Sequence, residues 1–307
     1  MNEIILHHYP ASPVSEKVRV ALGIKKLAWR SVEIPRVPPK PDVMPLSGGY
    51  RRTPIMQVGA DIYCDSHCIL REIHRRYPKP AFFPGESEGV TWALGRWTDA
   101  LFDTAVRLSM GANADQLPEA FLQDRGRLFF GPTWNAGKLK GDVPHVASQL
   151  RAQFAWIDRQ LGDGREYLPG AVPGLFDAMG YYLVWFVRAR WQGGPGLLGE
   201  FPRLEKWEQR VKALGHGKPL PMTPAEAIEI ARKNETTTPE QADPKDPLGL
   251  RPGQRVGVVA ETDSGETPVE GVIRFVSADT LAILREDPRV GTVCVHFPRV
   301  GYRVAIA

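Results

Sequence analysis

The alternation of hydrophobic and polar positions is clearest in the first quarter of the chain. Residues 55–58 and 62–64 are two short apolar runs, separated by the turn-forming sequence Gly59-Ala60-Asp61. This spacing predicts a β-hairpin. Asp65 and Ser66 follow at the position of a helix N-cap, before a set of apolar residues at helical spacing. That set is Ile69, Leu70 and Ile73.

The residues before this hairpin predict three further elements. Residues 3–8 and 28–34 are predicted strands, and an apolar stripe between them predicts a helix that begins near Pro13 with Ser12 at its N-cap. The order strand, helix, strand, hairpin, helix is that of a thioredoxin-like α/β domain, which we assign to residues 1–78. Residues 35–49, rich in proline and glycine, are a predicted loop.

The middle of the chain has a helical period. Residues 77–88 contain three prolines and no periodicity, which indicates an interdomain linker. Residues 89–234 are predicted to form an all-helical domain. Residues 146–161 carry one clean apolar face, and residues 177–187 are apolar on nearly all sides, as in a buried central helix.

The last part of the chain changes to a period of two. Residues 235–249 are a polar, proline-rich linker, and residues 250–307 are predicted to form five short strands of a small all-β domain, an SH3-like or OB-like barrel. We expect this barrel to pack on the helical domain or across a dimer, with partner binding as the alternative. His296 lies in an apolar strand and is interpreted as a packed histidine.

Composition narrows the class of protein. The 307 residues carry a net charge of +4, and the basic residues are scattered rather than grouped with aromatic ones, which argues against nucleic-acid binding. No apolar stretch approaches the ~18 residues of a membrane span, and the N-terminus has no signal-peptide pattern, so we expect a cytoplasmic protein without a membrane anchor. The three cysteines, Cys64, Cys68 and Cys294, lack metal-binding spacing, and no metal is expected.

The segment from Thr53 to Ser66 resembles the glutathione site of cytosolic glutathione transferases. The resemblance covers about the first 230 residues and implies that Pro54 is cis and that the backbone around Thr53, Pro54 and Ile55 pairs with the cysteinyl backbone of glutathione. It also implies that Asp65 and Ser66 hold the γ-glutamyl end, where a helix N-terminus favours a carboxylate. The alternative is that Asp65 and Ser66 only cap a helix and that Pro54 only begins a strand.

The start of the first helix is similar to that of the serine-type transferases. The sequence from Ser12-Pro13 to Lys17-Val18-Arg19 places a serine hydroxyl where the family stabilises the glutathione thiolate. Tyr9 and Ser15 remain alternatives for this role. The resemblance also suggests Lys40 for the glycyl carboxylate, although a solvated loop lysine is an equal interpretation. Arg51 and Arg52 would add positive potential for a tripeptide with two carboxylates.

The resemblance implies a glutathione transferase whose co-substrate is glutathione and whose other substrate is a small electrophile. The electrophile pocket is expected between the first two domains, near Trp97, Phe102 and Arg107. The family also suggests a homodimer. Two alternatives remain: a glutathione-dependent lyase, reductase or isomerase, and a non-catalytic scaffold whose C-terminal barrel binds a partner.

Overall fold

The computed structural model of the chain describes residues 3–306. Its first part is a thioredoxin-like α/β domain, as predicted, and adds one short helix in the proline-rich loop. The elements are β1 (Ile5–His8), α1 (Pro13–Ile24), β2 (Ala28–Glu33), α2 (Met44–Ser47), β3 (Ile55–Val58), β4 (Asp61–Cys64) and α3 (Ser66–Arg76).

A helical domain follows, also as predicted. Its central helix is buried on nearly all sides up to Val187. At the helix start, the Asp177 carboxylate accepts a hydrogen bond of 2.9 Å from the backbone N–H of Gly174. The elements are α4 (Glu88–Ala112), α5 (Glu119–Phe130), α6 (Ala136–Gly141), α7 (Val143–Gln160), α8 (Leu175–Arg190), α9 (Gly194–Gly199) and α10 (Pro202–Ala213).

The rest of the chain returns to the first domain and then extends it. Strand β5 is an unpredicted edge strand that contains two prolines and pairs in parallel with β2. The elements are β5 (Lys218–Pro221), α11 (Pro224–Lys233), β6 (Arg255–Ala260), β7 (Val269–Val276), β8 (Thr280–Asp287), β9 (Gly291–Pro298) and β10 (Tyr302–Ile306). The five C-terminal strands agree with the predicted number.

All ten strands belong to one sheet, in the order β10-β6-β7-β8-β9-β4-β3-β1-β2-β5. The join is a parallel pairing of β9 with β4, in which Ile62 faces Val295. The expectation that the C-terminal strands pack on the helical domain is therefore wrong, because these strands continue the sheet of the first domain from its open edge. Packing across a dimer stays a prediction. Whether the five strands close into a barrel of a particular type stays a prediction.

Two apolar cores lie on opposite faces of this sheet. One core joins α1 and α3 to the helical domain and includes Leu6 and Met56. The other joins α11 to the inner side of the C-terminal strands and includes Ile5 and Ile55. Neighbouring residues of one strand enter different cores because side chains alternate across a sheet. The C-terminal strands thus share a core with the first domain. Within residues 3–306, no helix has the length and apolar character needed to cross a membrane.

Candidate active site

A cleft of about 620 Å³ lies where the three parts of the chain meet. Its walls are the loop before β3, the N-terminus of α3, one side of α4, and the ends of β6 and β10. Thr53, Pro54, Asp65 and Ser66, which the sequence predicted to share a binding site, all line it. Ile55 does not line the cleft: it is fully buried at the start of β3.

The Thr53–Pro54 peptide bond is cis, as the resemblance implies. Lys40 holds the loop that carries this bond, because its Nζ donates hydrogen bonds of 2.8 Å to the carbonyl oxygen of Arg51 and to Thr53 Oγ1. Burial, together with the charges of Arg125 and Arg51, lowers the pKa of Lys40 to about 7. The lysine is buried behind the cleft and does not line it. The interpretation of Lys40 as a solvated loop lysine is therefore wrong, because its side chain is buried and supports the loop. Its contact with the glycyl carboxylate stays a prediction.

Asp65 combines a helix cap with an uncommon backbone conformation. Its φ of 74° lies in the left-handed region, which costs a non-glycine residue about 1–3 kcal/mol and is found preferentially at functional sites. Oδ1 accepts the backbone N–H of His67 at 2.8 Å, and Oδ2 accepts the hydroxyl of Tyr302 at 3.2 Å. Ser66 is the buried first residue of α3. The carboxylate is thus fixed at the positive end of a helix.

The C-terminal region forms one wall of the cleft. Tyr302, on β10, bonds through its hydroxyl to that of Tyr50 at 3.0 Å as well as to Asp65. Beside this contact, Arg52 donates to Glu266 at 2.8 Å and to Thr262 Oγ1 at 2.8 Å. These bonds join the C-terminal strands to the predicted glutathione site at the loop before β3.

A charged network forms the floor of the cleft. Lys17 Nζ lies 3.6 Å from Asp99 of α4, and His67 Nε2 lies 2.9 Å from the other oxygen of the same carboxylate. Burial alone would raise the pKa of Asp99, but the charge of Lys17 and the hydrogen bond from His67 lower it to about 2. Asp99 is therefore ionised at neutral pH, and it connects α1, α3 and α4 beside Asp65.

The three candidate thiol-activating residues lie close together at the start of α1. Ser12 is buried at the N-cap, where its Oγ accepts the backbone N–H of Ser15 at 3.2 Å and the Ser15 hydroxyl at 2.9 Å. Tyr9 is also buried, and its hydroxyl accepts from Arg125 at 3.3 Å. None of the three lines the cleft, although Val14 does. Because Ser12 Oγ is an acceptor in both bonds, its own proton is not committed to either of them.

A second cavity, of about 490 Å³, lies next to the cleft between α1, α4, α5 and α8. Phe102 lines both spaces and so fits the position predicted for the electrophile pocket. The structure does not place the other two predicted residues there. Trp97 points to the opposite side of α4, where its Nε1 donates to Gln153 at 2.8 Å. The Arg107 guanidinium lies over the Phe130 ring at 4.8 Å and lines neither space.

Several residues of the cleft were not predicted from the sequence. Lys17 was visible as part of the motif after Ser12, but its ion pair with Asp99 joins residues far apart in the chain. His67 follows Ser66 directly and had no separate signal. Tyr302 was beyond the part of the chain covered by the resemblance, so only the fold brings it to Asp65.

A buried cluster lies at the join between β4 and β9, outside both cavities. Potential ligand atoms of Asp61, Cys294 and His296 lie within 4.8 Å of one another. Both Asp61 oxygens already accept hydrogen bonds, from the hydroxyls of Thr236, Thr237 and Thr238 among others. The cluster therefore fastens the segment after α11 to the sheet, and the predicted linker is held in place at its beginning.

Comparisons with known proteins agree with this geometry. The sequence family described as "Glutathione S-transferase, N-terminal domain" matches residues 6–81. A GST-like protein from Pseudomonas syringae is 34% identical, covers 100% of both chains and superposes with a TM-score of 0.78. Glutathione S-transferase U4 of Arabidopsis thaliana is 20% identical over 210 residues, 66% of this chain and 82% of that protein. Glutathione S-transferase III in apo form shares the fold, at 20% identity and a TM-score of 0.51, over 69% of this chain and 92% of its own.

Proposed function

This chain belongs to the glutathione S-transferase superfamily, and on that premise we propose that it binds glutathione in the 620 Å³ cleft and activates its thiol for attack on a small electrophile. The observation that carries the proposal is the convergence of Thr53, cis Pro54, Asp65 and Ser66 on one cleft. These are the residues that the resemblance assigns to the ligand, and they come from separate elements.

The charges of the cleft suit a tripeptide with two carboxylates and one ammonium group. The N-terminus of α3 favours the glutamyl carboxylate, and the fixed Asp65 carboxylate accepts from the ammonium group. Lys17, Arg51 and Arg52 line the same space. Each pairs with a protein carboxylate, but their remaining N–H groups are donors for the carboxylates of the tripeptide.

The chemistry is a nucleophilic substitution or addition by sulfur. The glutathione thiol loses its proton to solvent, and the thiolate is stabilised by a hydrogen bond from Ser12 and by the N-terminus of α1. The sulfur then forms a bond to the electrophilic carbon. In a substitution, a leaving group departs with the electron pair of the bond that breaks; in an addition, the electron pair of the broken π bond takes up a proton from solvent. Tyr9 and Ser15 are the alternative donors.

The proposal predicts that glutathione stabilises the folded protein. Because a ligand that binds only the native state shifts the unfolding equilibrium, the melting temperature should rise with the logarithm of glutathione concentration above the dissociation constant. Differential scanning fluorimetry at 0–10 mM glutathione, with S-methylglutathione in parallel, measures this. An unchanged melting temperature with both ligands would contradict glutathione binding.

Replacing Ser12 by alanine should lower turnover about tenfold and leave the affinity for glutathione nearly unchanged, because one hydrogen bond to the thiolate is lost. The variant also loses a helix cap, which costs about 1 kcal/mol of stability, so turnover is measured well below the melting temperature. Ser15→Ala and Tyr9→Phe are the comparison variants. If one of these loses turnover and Ser12→Ala does not, the donor role belongs to that residue.

One observation favours a second function, a non-catalytic glutathione-binding protein. Ser12 is buried and bonded to Ser15, so thiol activation requires the sulfur to reach a covered hydroxyl. Glutathione binding without conjugation of any electrophile would support this alternative, and so would a partner for the C-terminal strands. Lyase, reductase or isomerase chemistry would use the same glutathione site. A homodimer and a cytoplasmic location are further proposals, supported by the family alone.

A further inference from the structure

The 490 Å³ cavity beside the cleft has an unusual distribution of charge. Four arginines line it, and among the described residues of its wall none is acidic. The rest of the lining is largely aromatic or aliphatic. The four arginines are Arg36, Arg125, Arg188 and Arg190.

Two of these arginines are already neutralised by carboxylates outside the cavity. Arg125 pairs with Asp124 at 2.8 Å, and Arg188 pairs with Glu208 at 2.7 Å. The side chains of Arg36 and Arg190 form neither a salt bridge nor a hydrogen bond with any residue in the range 3–306. Arg36, exposed at the rim, and the half-buried Arg190 therefore present two positive charges to the cavity without a protein counter-charge.

The apolar surface between these charges is suited to a flat ring. The Arg36 guanidinium lies over the Phe121 ring at 4.5 Å, a cation–π contact that places the charge beside the aromatic wall. Phe102, Phe129 and Trp191 face the same space. A planar apolar body would pack against these rings, and a carboxylate on it would meet the fork-shaped donors of arginine.

The position of the cavity connects it to the proposed chemistry. Ala11 and Pro13, the two neighbours of Ser12, line its wall. Phe102, Arg125 and Phe129 line both this cavity and the glutathione cleft, so the two spaces adjoin. An electrophile held here lies beside the start of α1, where the sulfur is proposed to be activated.

We propose that the cavity selects an aromatic electrophile that carries a carboxylate, which Arg36 and Arg190 hold at the cavity edge. This inference rests on the proposed function, because it names the substrate class for the same reaction. With 4-chloro-3-nitrobenzoate, the thiolate sulfur bonds to the ring carbon that carries chlorine. The carbon–chlorine bond then breaks, and chloride leaves with its electron pair.

The first test compares 4-chloro-3-nitrobenzoate with 4-chloro-3-nitrobenzamide, which has the same shape and no charge. Each kcat/KM is divided by the rate of the uncatalysed reaction with glutathione. The normalised value should favour the carboxylate about tenfold in the wild type, as expected for a charge-assisted contact. The ratio should fall to about one in the Arg36→Gln/Arg190→Gln double variant, mainly through KM. Arg159→Gln, an exposed arginine of α7, is the matched control and should keep the wild-type ratio.

Equilibrium binding separates failure of this inference from failure of the proposed function. Calorimetric titration with 1-naphthoate and 1-naphthamide, in the presence of glutathione, should show about tenfold tighter binding of the carboxylate in the wild type and not in the double variant. Equal affinity for the two ligands overturns the inference even if glutathione binds and the amide is conjugated. Tighter binding of naphthoate by a protein that neither binds nor conjugates glutathione would support the arginine contact and contradict the proposed transferase function.

Discussion

Replacement of Asp65 by asparagine is expected to weaken glutathione binding about 100-fold. Asparagine keeps the size of the side chain, is a good N-cap and tolerates the positive φ of this position, so the fold of α3 should persist. The variant lacks the negative charge that accepts from the γ-glutamyl ammonium, and a hydrogen bond between charged groups contributes about 1.5–3 kcal/mol. Isothermal titration calorimetry with glutathione measures the loss directly.

Asp279→Asn is the matched control for this change. Asp279 lines the same cleft and pairs with Arg71 at 3.3 Å, but its side chain is 60% exposed. Removing its charge should alter the affinity less than about threefold, since exposed pairs contribute little. An equal loss in both variants would mean that net charge, not a specific contact, governs binding. Unchanged affinity in Asp65→Asn would show that the γ-glutamyl end lies elsewhere.

The residues around Asp65 were predictable because each depends on local rules. A hairpin, a proline before a strand and a helix cap are encoded within a few residues, and their order in the chain matched a known arrangement. The same holds for the buried helix α8, because its apolar pattern is local. These features were predicted without any knowledge of long-range contacts, and the structure confirms them.

The rest of the site depends on contacts that local patterns do not specify. The alternation in residues 250–307 predicted strands, but a period of two does not identify which strand edge they join. The pairing of β9 with β4 therefore could not be predicted, and it corrects the expected packing on the helical domain. It brings Tyr302 to Asp65 across 237 residues of sequence. Lys40 shows the reverse case, since a loop position suggested exposure and the structure buries the side chain.

The C-terminal strands consequently have a role that the sequence left open. The segment that connects them to α11 is not a free linker, because the threonines at its start donate hydrogen bonds to Asp61. The C-terminal strands also close one side of the cleft through Arg52 and Tyr302. A substitution that weakens the pairing of β4 with β9 should therefore also disturb the proposed glutathione site. The buried pair of Asp61 and His296 lies at this join, so its contribution to stability is worth measuring.

That pair, Asp61 and His296, is expected to make stability depend on pH. His296 is stacked on Tyr63 at 4.3 Å and bonds to Thr238 at 3.0 Å, and its Nε2 lies 3.4 Å from Asp61. Burial alone would lower the pKa of His296, but Asp61 and the neighbouring Cys294 raise it to about 9. Hydrogen bonds from His296 and Thr236 outweigh burial and hold the pKa of Asp61 well below its usual range.

The sign of the effect follows from the folded and unfolded states of His296. Below pH 6.5 His296 is protonated in both states, and its full stabilisation of the folded state is present. As the pH rises from 6.5 through about 9, the folded state keeps a proton that the unfolded state has lost, so this stabilisation is progressively lost. At about 1.4 kcal/mol for each pH unit, the loss is about 3 kcal/mol. Lys40 and Lys25 have pKa values lowered to about 7 and about 8, so they titrate in this window with the opposite sign. The wild-type curve alone therefore does not isolate the histidine.

Lys40 and Lys25 are present in both the wild type and His296→Gln. Their contributions therefore cancel in the difference between the free energies of unfolding of the two proteins. Urea unfolding at intervals from pH 6 to pH 9.5 should show the wild type more stable at pH 6, with the advantage shrinking by about 3 kcal/mol towards pH 9.5. Glutamine can still bond to Thr238 and Asp61, so the variant should remain folded. A difference that stays constant over this range would mean that folding does not raise the pKa of His296, and that the join between β4 and β9 is held by the threonine hydroxyls and strand pairing alone.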